Sequence, residues 1–462
     1  MPPPALASVE QLRRLLATRP VAAATELART LGVSVPTVHR LLARLPAGEL
    51  VTAGKARRAR YALSRTLRGG SAVFPAFRVD RNGRLENAGS LALLHLTGSW
   101  MPLAPLGWPV PEDARDGWWP GLPYPLYQMR PQGYMGRQFA RAEHLRLALP
   151  QDVSAWSDDD VLFAMCQAGS DLSGDLIVGE PACELWLRER AQEAGPVSAN
   201  ETVLHYEQLA QRAVAAGVPG SSAAGEFPKF TARRALDGAS TPHVIVKFSG
   251  ADESASVQRW SDLLVCEHLA LQHITALPGI KAARSRILHG GGRVFLEVER
   301  FDRHGDAGRS PLCALDVVDA AFVGSGSTDW TKVVAGLLEL DVVDGALLSA
   351  ATRLWWYGRL IANTDMHLGN LALEPDGGGR FSLAPAYDML PMRYAPLAGG
   401  EVPTPEPEFA LPLPDQRTAW FEACAVALAF WDSAATDARI SSGFRAVCLA
   451  QRDALERLCE RA

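Results

Sequence analysis

The strongest constraint on this chain lies in Ile361 to Leu371, which reads IANTDMHLGNL and sets Asp365 and Asn370 five residues apart. The segment directly follows a long helical pattern whose apolar stripe includes Leu347, Leu348, Ala351, Leu354 and Trp355. A small apolar strand, Leu371 to Leu373, comes next, and eighteen residues after Asn370 the segment AYDML supplies a second acid, Asp388. Two readings of these polar residues stay open at this point. Asp365, after Asn363 and Thr364, can cap a turn and Asp388 can satisfy loop amides, or the three side chains together can build a site.

The order of other residues along the chain favours a site. Val244 to Phe248 (VIVKF) is a short strand that carries one lysine, Lys247, inside an apolar run, where a charge is costly without a partner. About twenty residues on, the helical segment from Val257 to Ile274 contains Glu267, placed to pair with it. Val294 to Arg303 (VFLEVERFDR) alternates as a strand and then turns polar, where a kinase hinge would present backbone groups to adenine. Lys247, Glu267, hinge, Asp365, Asn370 and Asp388 stand in the order of a protein kinase. There the catalytic aspartate receives the substrate hydroxyl's proton. Magnesium takes hard oxygen ligands and keeps several waters, so the Asp388 carboxylate and the Asn370 carbonyl suffice to bridge it to nucleotide phosphates.

The 462 residues carry a net charge of −5, but residues 1 to 68 hold +9 and the remainder −14. A basic module on an acidic body is the distribution expected when only one part meets a polyanion such as DNA. Within that module Val9 to Thr18 forms a helical pattern with Leu12, Leu15 and Leu16 on one face. Ala24, Leu27, Ala28 and Leu31 recur at helical spacing before Gly32, a C-cap residue. Ser34 is placed to cap a third helix with Pro36 in its first turn and Val38, Leu41, Leu42 and Leu45 as its stripe. That leaves Thr37, His39, Arg40 and Arg44 facing outward. Leu50 to Thr52 and Arg60 to Leu63 read as strands around Gly54, with Lys55, Arg57, Arg58 and Arg60 at or near the tip. The pattern resembles a winged helix-turn-helix. Arg40 and Arg44 are the base-reading candidates, and the wing residues the phosphate contacts. A three-helix protein-docking module whose arginines are a solvated face is the competing reading.

TLRGGS, from Thr66 to Ser71, reads as a linker, and Val73 to Leu96 alternates around Asn82-Gly83 as a hairpin. Pro102 to Pro150 is rich in Pro, Gly and aromatics and reads as a packed irregular subdomain, with the cluster RPQGYMGR from Arg130 to Arg137 unassigned to chemistry. The seven cysteines are odd in number and scattered, so they read as buried thiols, not as disulfides or metal ligands. No run of about 18 or more apolar residues occurs and the N-terminus lacks signal-peptide order, so no membrane partner and a cytoplasmic location are expected.

The hairpin FRVDRNGRLENAGSL, RPQGYMGR, SSAAGEFPKFT from Ser221 to Thr231, VIVKF, VERFDR, NTDMHLGN and AYDML, in that order, resemble the HipA-like serine/threonine kinase toxin family in its YjjJ-like branch. The resemblance covers roughly residues 72 to 455. It implies that Ser222, Ala223, Ala224, Gly225 and Lys229 lie on the family's phosphate-binding and regulatory loop, where small residues let backbone amides approach phosphate. It further implies autophosphorylation at Ser222 or its neighbour Ser221. By the same resemblance Lys247 binds ATP phosphates, Glu299 and Phe301 lie at the adenine hinge, and His367 sits beside Asp365. Glu226, Phe227 and Pro228 depart from the polar, Gln-containing stretch usual in the family.

The expected architecture is α+β: a winged helix-turn-helix over 1–68, a HipA-like N-terminal subdomain and kinase N-lobe over 72–310, and a helical C-lobe over 311–462. The expected function is that of an ATP- and Mg2+-dependent Ser/Thr kinase toxin that phosphorylates a protein substrate and binds double-stranded DNA. An antitoxin partner and, on palindromic operators, a homodimer go with it. A DNA-binding transcriptional regulator with a nucleotide-sensing, catalytically weak body is the main alternative. A metal-dependent nuclease ranks below both, because the sequence shows no further acidic cluster or His-rich motif.

Overall fold

The computed structural model describes residues 7–19, 21–192, 195–215 and 227–461, except the side chain of Arg57. Three helices open the chain: α1 (Val9–Thr18), α2 (Ala24–Leu31) and α3 (Val35–Leu42). Each has a local cause. Ser8 and Gln11 close a capping box on α1 (3.1 and 2.8 Å). Glu26 reaches back to the Ala23 amide (2.7 Å) on α2, which stops where Gly32 turns left-handed. The start of α3 differs from expectation: Ser34 occupies the cap position, but its hydroxyl bonds Thr37 (3.0 Å) instead of a backbone amide. The helix also ends at Leu42, which puts Arg44 in the following turn.

Strands β1 (Ala22–Ala23), β2 (Leu50–Ala53) and β3 (Arg60–Leu63) form an antiparallel sheet in the order β1-β3-β2 beside these helices. Gly54 turns the β2–β3 connection at φ +88°, and a Cβ there would stand 2.5 Å from the Arg58 carbonyl oxygen. Leu12, Leu16, Leu27, Val38, Leu41, Leu42 and Leu63 make a small separate core.

The chain continues through β4 (Val73–Val79), β5 (Leu85–Leu93), β6 (Ser99–Trp100), β7 (Trp118–Trp119), α4 (Tyr124–Gln128), α5 (Gly133–Leu147), α6 (Asp158–Ala168), β8 (Leu176–Val178) and α7 (Glu180–Gln192). The strands form a sheet in the order β7-β6-β5-β4-β8. The stretch expected to be irregular thus contains a 15-residue helix, α5, whose start is the RPQGYMGR cluster. A second antiparallel sheet, β11-β12-β10-β9, follows helix α8 (Thr202–Ala215). It comprises β9 (Lys229–Arg233), β10 (His243–Phe248), β11 (Ser285–Gly290) and β12 (Arg293–Glu299), with α9 (Ala255–His273) packed against it.

Short strands β13 (Arg303–His304), β14 (Gly308–Arg309) and β15 (Cys313–Ala314) lead into α10 (Leu315–Phe322), α11 (Trp330–Glu339) and α12 (Gly345–Leu360). Strands β16 (Ala372–Pro375) and β17 (Phe381–Leu383) complete a three-stranded sheet with β15, and the hairpin of α13 (Arg417–Thr436) and α14 (Ser442–Cys459) closes the chain. That hairpin corrects one expectation. Because α13 and α14 run side by side in opposite directions, the last turn of α14 lies beside the first half of α13, and Cys424 is joined to Cys459 in a disulfide. Cys166, Cys183, Cys266, Cys313 and Cys448 are free and buried as expected. One continuous core runs from Leu67 to Leu455 and binds the middle segment to both lobes.

Candidate active site

A cavity of about 420 Å3 opens between the β9–β12 sheet, the AYDML segment and the N-terminal end of α5. It collects Lys229, Lys247, Glu267, Glu299, Phe301 and Asp388, six residues that the sequence separates by up to 159 positions. Lys247 lies on β10, directly across the ladder from Lys229 on β9, so both ammonium stems leave the same face of the sheet. Its Nζ donates to both oxygens of Glu267 on α9 (2.7 and 2.8 Å) and to Asp388. Burial alone would lower the Lys247 pKa, but Asp388 and Glu267 outweigh it and raise it, so the lysine is charged. Asp388 is likewise desolvated, yet Lys247, Lys229 and His367 hold its pKa below the ordinary value. Glu267 goes the other way, raised to about 7 chiefly by burial.

Asp388 sits at φ +53°, an uncommon conformation for a residue with a side chain, and neighbouring contacts fix it there. The Asn363 side chain donates to the Asp388 carbonyl (3.2 Å) and accepts from the Asp365 amide (3.0 Å). Asn370 donates to the Asp365 carbonyl (2.7 Å). The Tyr387 hydroxyl donates to the Gly369 carbonyl (2.7 Å), and the Trp330 indole to the His367 carbonyl (3.0 Å). The loop after α12 and the AYDML segment are therefore one hydrogen-bonded unit.

Asp365 and His367 are exposed and face a second cavity of about 570 Å3, which also takes in Trp355, Arg359, Arg393 and Phe409. The His367 Nε2 stands 4.0 Å from an Asp365 carboxylate oxygen. Asn370 is buried and lines neither cavity. Asn370's amide nitrogen is committed to the loop, so the carbonyl oxygen is the atom it has left to offer.

Glu299 lines the first cavity, but its carboxylate belongs to another network. Arg234 (2.9 Å) and the Ser240 hydroxyl (2.8 Å) hold it, and its amide donates to the Arg284 carbonyl (2.8 Å). Phe301 does face the cavity, 5.7 Å centroid to centroid from Tyr387. Ser221, Ser222 and Gly225 lie outside the described residues. The departing Phe227 is described: it is buried, stacks edge-on against Trp260 (4.5 Å), and carries the Lys247 ammonium 5.8 Å above its ring.

Sequence reasoning missed the contribution of RPQGYMGR. Arg130, Pro131, Gln132, Met135 and Gly136 line the first cavity opposite Lys247. Arg130 is fixed there by Asp158 (3.2 Å) and the Trp156 carbonyl (2.8 Å). The signal available was a pair of arginines flanking two glycines in an aromatic stretch, which no spacing rule ties to β10. Among the N-terminal residues, His39, Arg40, Arg44, Lys55 and Arg58 are exposed, and Arg40 donates to Thr37 (3.0 Å). Arg60 instead turns toward Glu26 (3.4 Å).

The family of YjjJ-like toxin middle domains matches residues 70–187, and that of HipA-like C-terminal domains matches residues 221–455. A curated relative, Toxin YjjJ of Escherichia coli K12, is 38% identical over 426 residues, covering 91% of this chain and 92% of its own. Among solved structures, the Shewanella oneidensis MR-1 HipA, HipB and operator DNA complex aligns with a TM-score of 0.46 and 15% identity over 78% of this chain and 90% of that one. The Helicobacter pylori proinflammatory kinase CtkA aligns at 0.33 and 10% over 50% and 92%.

Proposed function

The chain belongs to the HipA-like toxin family, in its YjjJ-like branch, and from that premise we propose that it is an ATP- and Mg2+-dependent serine/threonine protein kinase acting as a growth-inhibiting toxin. The observation that carries the proposal is the Lys247–Glu267–Asp388 constellation, tied through the Asn363 side chain to Asp365. A lysine kept charged and a carboxylate kept ionised in one cavity suit a nucleotide's phosphates and the metal that accompanies them. Asp388 through its carboxylate and Asn370 through the amide oxygen that its loop bond leaves over would hold magnesium, both being the hard oxygen donors that this ion takes. Bound there, the metal would neutralise charge on the transferring phosphoryl group.

The chain's own groups do the rest. Lys247, held by Glu267, would receive phosphate oxygens, and Phe301 with Tyr387 offers an aromatic wall for the base. Asp365, reachable from the second cavity, would accept the proton of a protein serine or threonine hydroxyl, with His367 beside it. Asn363 would keep Asp365 and Asp388 in register, so catalysis comes from positioning and charge neutralisation. Gly225, Ser221 and Ser222 are proposed, on the family resemblance, as phosphate-loop and autophosphorylation positions.

Residues 1–68 are proposed to bind double-stranded DNA as a winged helix-turn-helix, through Thr37, His39, Arg40 and Arg44 and the wing residues Lys55, Arg57, Arg58 and Arg60. The division 72–310 and 311–462 into two lobes is kept as part of this reading, with an antitoxin partner, homodimerisation on operators and a cytoplasmic site of action. No helix among the described residues is long and apolar enough to cross a membrane. The test is incubation of the purified protein with γ-labelled ATP and Mg2+, with Asp365→Asn and Asp388→Asn alongside. Label on the wild type alone, on itself and on extract proteins at Ser or Thr, is the expected result. Nucleotide binding with no transfer by any form would favour the DNA-binding nucleotide sensor instead.

A further inference from the structure

The VERFDR segment supplies more charge than the nucleotide reading uses. Arg300 and Arg303 both line a further cavity of about 360 Å3, which shares Asp171, Thr231 and Arg300 with the first as a common wall. Five arginines border it: Arg190 from α7, Arg233 from β9, Arg300, Arg303 and Arg309. Arg300 and Arg303 divide two carboxylates between them. Arg300 holds Asp171 (2.9 and 3.1 Å) and Asp302 (3.1 Å), and Arg303 holds the same pair (both 2.7 Å). Arg233 meets the rim carboxylate of Asp306 (3.5 Å), and His243 meets the Asp306 backbone carbonyl (2.8 Å).

Among the described residues, two of these arginines have no carboxylate in hydrogen-bond reach. Arg190 donates to the Gly83 carbonyl (2.7 Å) and Arg309 to the Ser170 carbonyl (2.6 Å), while Arg309 approaches Asp171 only to 3.9 Å. Both approach one indole, Arg190 at 5.3 Å and Arg309 at 5.9 Å from the Trp186 ring centroid. Arg309 is 4% exposed, and its Nη1, like Nε of Arg303, is buried with no hydrogen-bond partner among the described residues. A buried guanidinium with an unused donor is costly, so such a group calls for an acceptor that arrives from outside. Burial, with Arg303 and Arg300 adding to it, pulls the Arg309 pKa down to about 9, the mark of uncompensated positive charge. Glu189, the remaining acid, stands exposed at the rim.

We propose that this cavity is an oxyanion site for a phosphate or phosphomonoester dianion, received by Arg309 and Arg190 beside Trp186. Planar guanidinium forks match tetrahedral oxyanions, and a dianion would compensate the two arginines that lack a carboxylate. The site is distinct from the Lys247–Asp388 cavity and does not depend on the kinase reading.

Titration calorimetry of the full chain with inorganic phosphate, and separately with O-phosphoserine, tests it, with the first cavity blocked by a non-hydrolysable ATP analogue. Saturable binding is expected, weakened about tenfold or more in Arg190→Gln, a surface change that leaves the core intact, and likewise in Arg309→Lys. Tighter binding of O-phosphoserine would identify a phosphorylated protein as the source of the anion, and tighter binding of phosphate a free ion. Absence of saturation, or equal affinity in wild type and Arg190→Gln, would overturn the proposal. Should the ATP analogue itself fail to bind, the same titrations on unblocked protein still read the arginine site through Arg190→Gln, so the two readings fail separately.

Discussion

Asn363 joins two stretches of chain that must agree if Asp365 and Asp388 are to act together. One end of its amide accepts the Asp365 N–H and the other donates to the Asp388 carbonyl. On the phosphotransfer reading it is a positioning residue. Asn363→Ala is expected to lower kcat for label transfer by about a hundredfold, because displacements near 1 Å at reacting groups cost that much. KM for ATP should stay within a few-fold, since Lys247 and Phe301 are untouched. A variant in which KM rises and kcat holds would show that Asn363 supports binding instead. The same residue shows where sequence reading stops. Lys247 and Asp388 are legible because a charge in an apolar run or a lone acid at a fixed offset has few explanations. Asn363 entered the sequence reading only as a neighbour of Asp365: its bond from the Asp365 amide is local, but its bond to Asp388 spans 25 residues and exists only in the fold.

At the scale of elements, legibility followed locality. α1, α2 and α12 were readable because their caps and apolar stripes lie within their own residues. α5 was not, because its start is written in Pro, Gly and aromatics whose meaning is a contact with the preceding turn. Gly136 is the decisive position: a Cβ there would stand 2.4 Å from the Pro131 carbonyl carbon and 3.0 Å from its oxygen, both backbone atoms that cannot swing aside. Gly136→Val should therefore cost about 1–3 kcal/mol and lower the thermal midpoint. It should also weaken nucleotide binding more than a destabilisation of that size elsewhere, since Pro131, Gln132 and Gly136 line the first cavity. Scanning calorimetry with and without nucleotide measures both. A Gly136→Val protein with wild-type midpoint and affinity would remove α5 from the site. The segment expected as a hinge shows the converse: it borders the first cavity, yet its named side chain, Glu299, is spent on Arg234.

Over the whole molecule, the division of charge into +9 for residues 1 to 68 and −14 for the rest was plain in the sequence, but the way the two parts are joined was not. Thr66 to Ser71 read as a linker, yet the structure ties the N-terminal module down just before and within that stretch. The Arg65 amide bonds the Leu93 carbonyl (3.0 Å) and the His95 amide bonds Leu63 (2.8 Å). Arg65 clasps Asp159 through two 2.7 Å bonds, and Arg68 holds Asp160 (2.6 Å). Arg65 and Arg68 are thus neutralised by carboxylates of the body, so on the proposed reading the charge left for DNA belongs to the module's other basic residues, among them Arg40 of α3, Arg44 after it, and Lys55 and Arg58 of the wing. This sets the prediction for DNA binding. Affinity, measured by fluorescence anisotropy across salt, should fall log-linearly with a slope set by the few phosphates contacted, about 0.9 for each. Lys55→Ala and Arg58→Ala should each reduce that slope by about one and weaken all sequences alike, whereas Arg40→Ala should cost about 1–3 kcal/mol on the preferred site and relax its specificity. Arg65→Ala should leave the slope unchanged, because its charge already belongs to Asp159. A slope that drops for Arg65→Ala as it does for Lys55→Ala would mean that DNA lies along the junction, and the absence of any salt-dependent binding would return the module to the protein-docking reading.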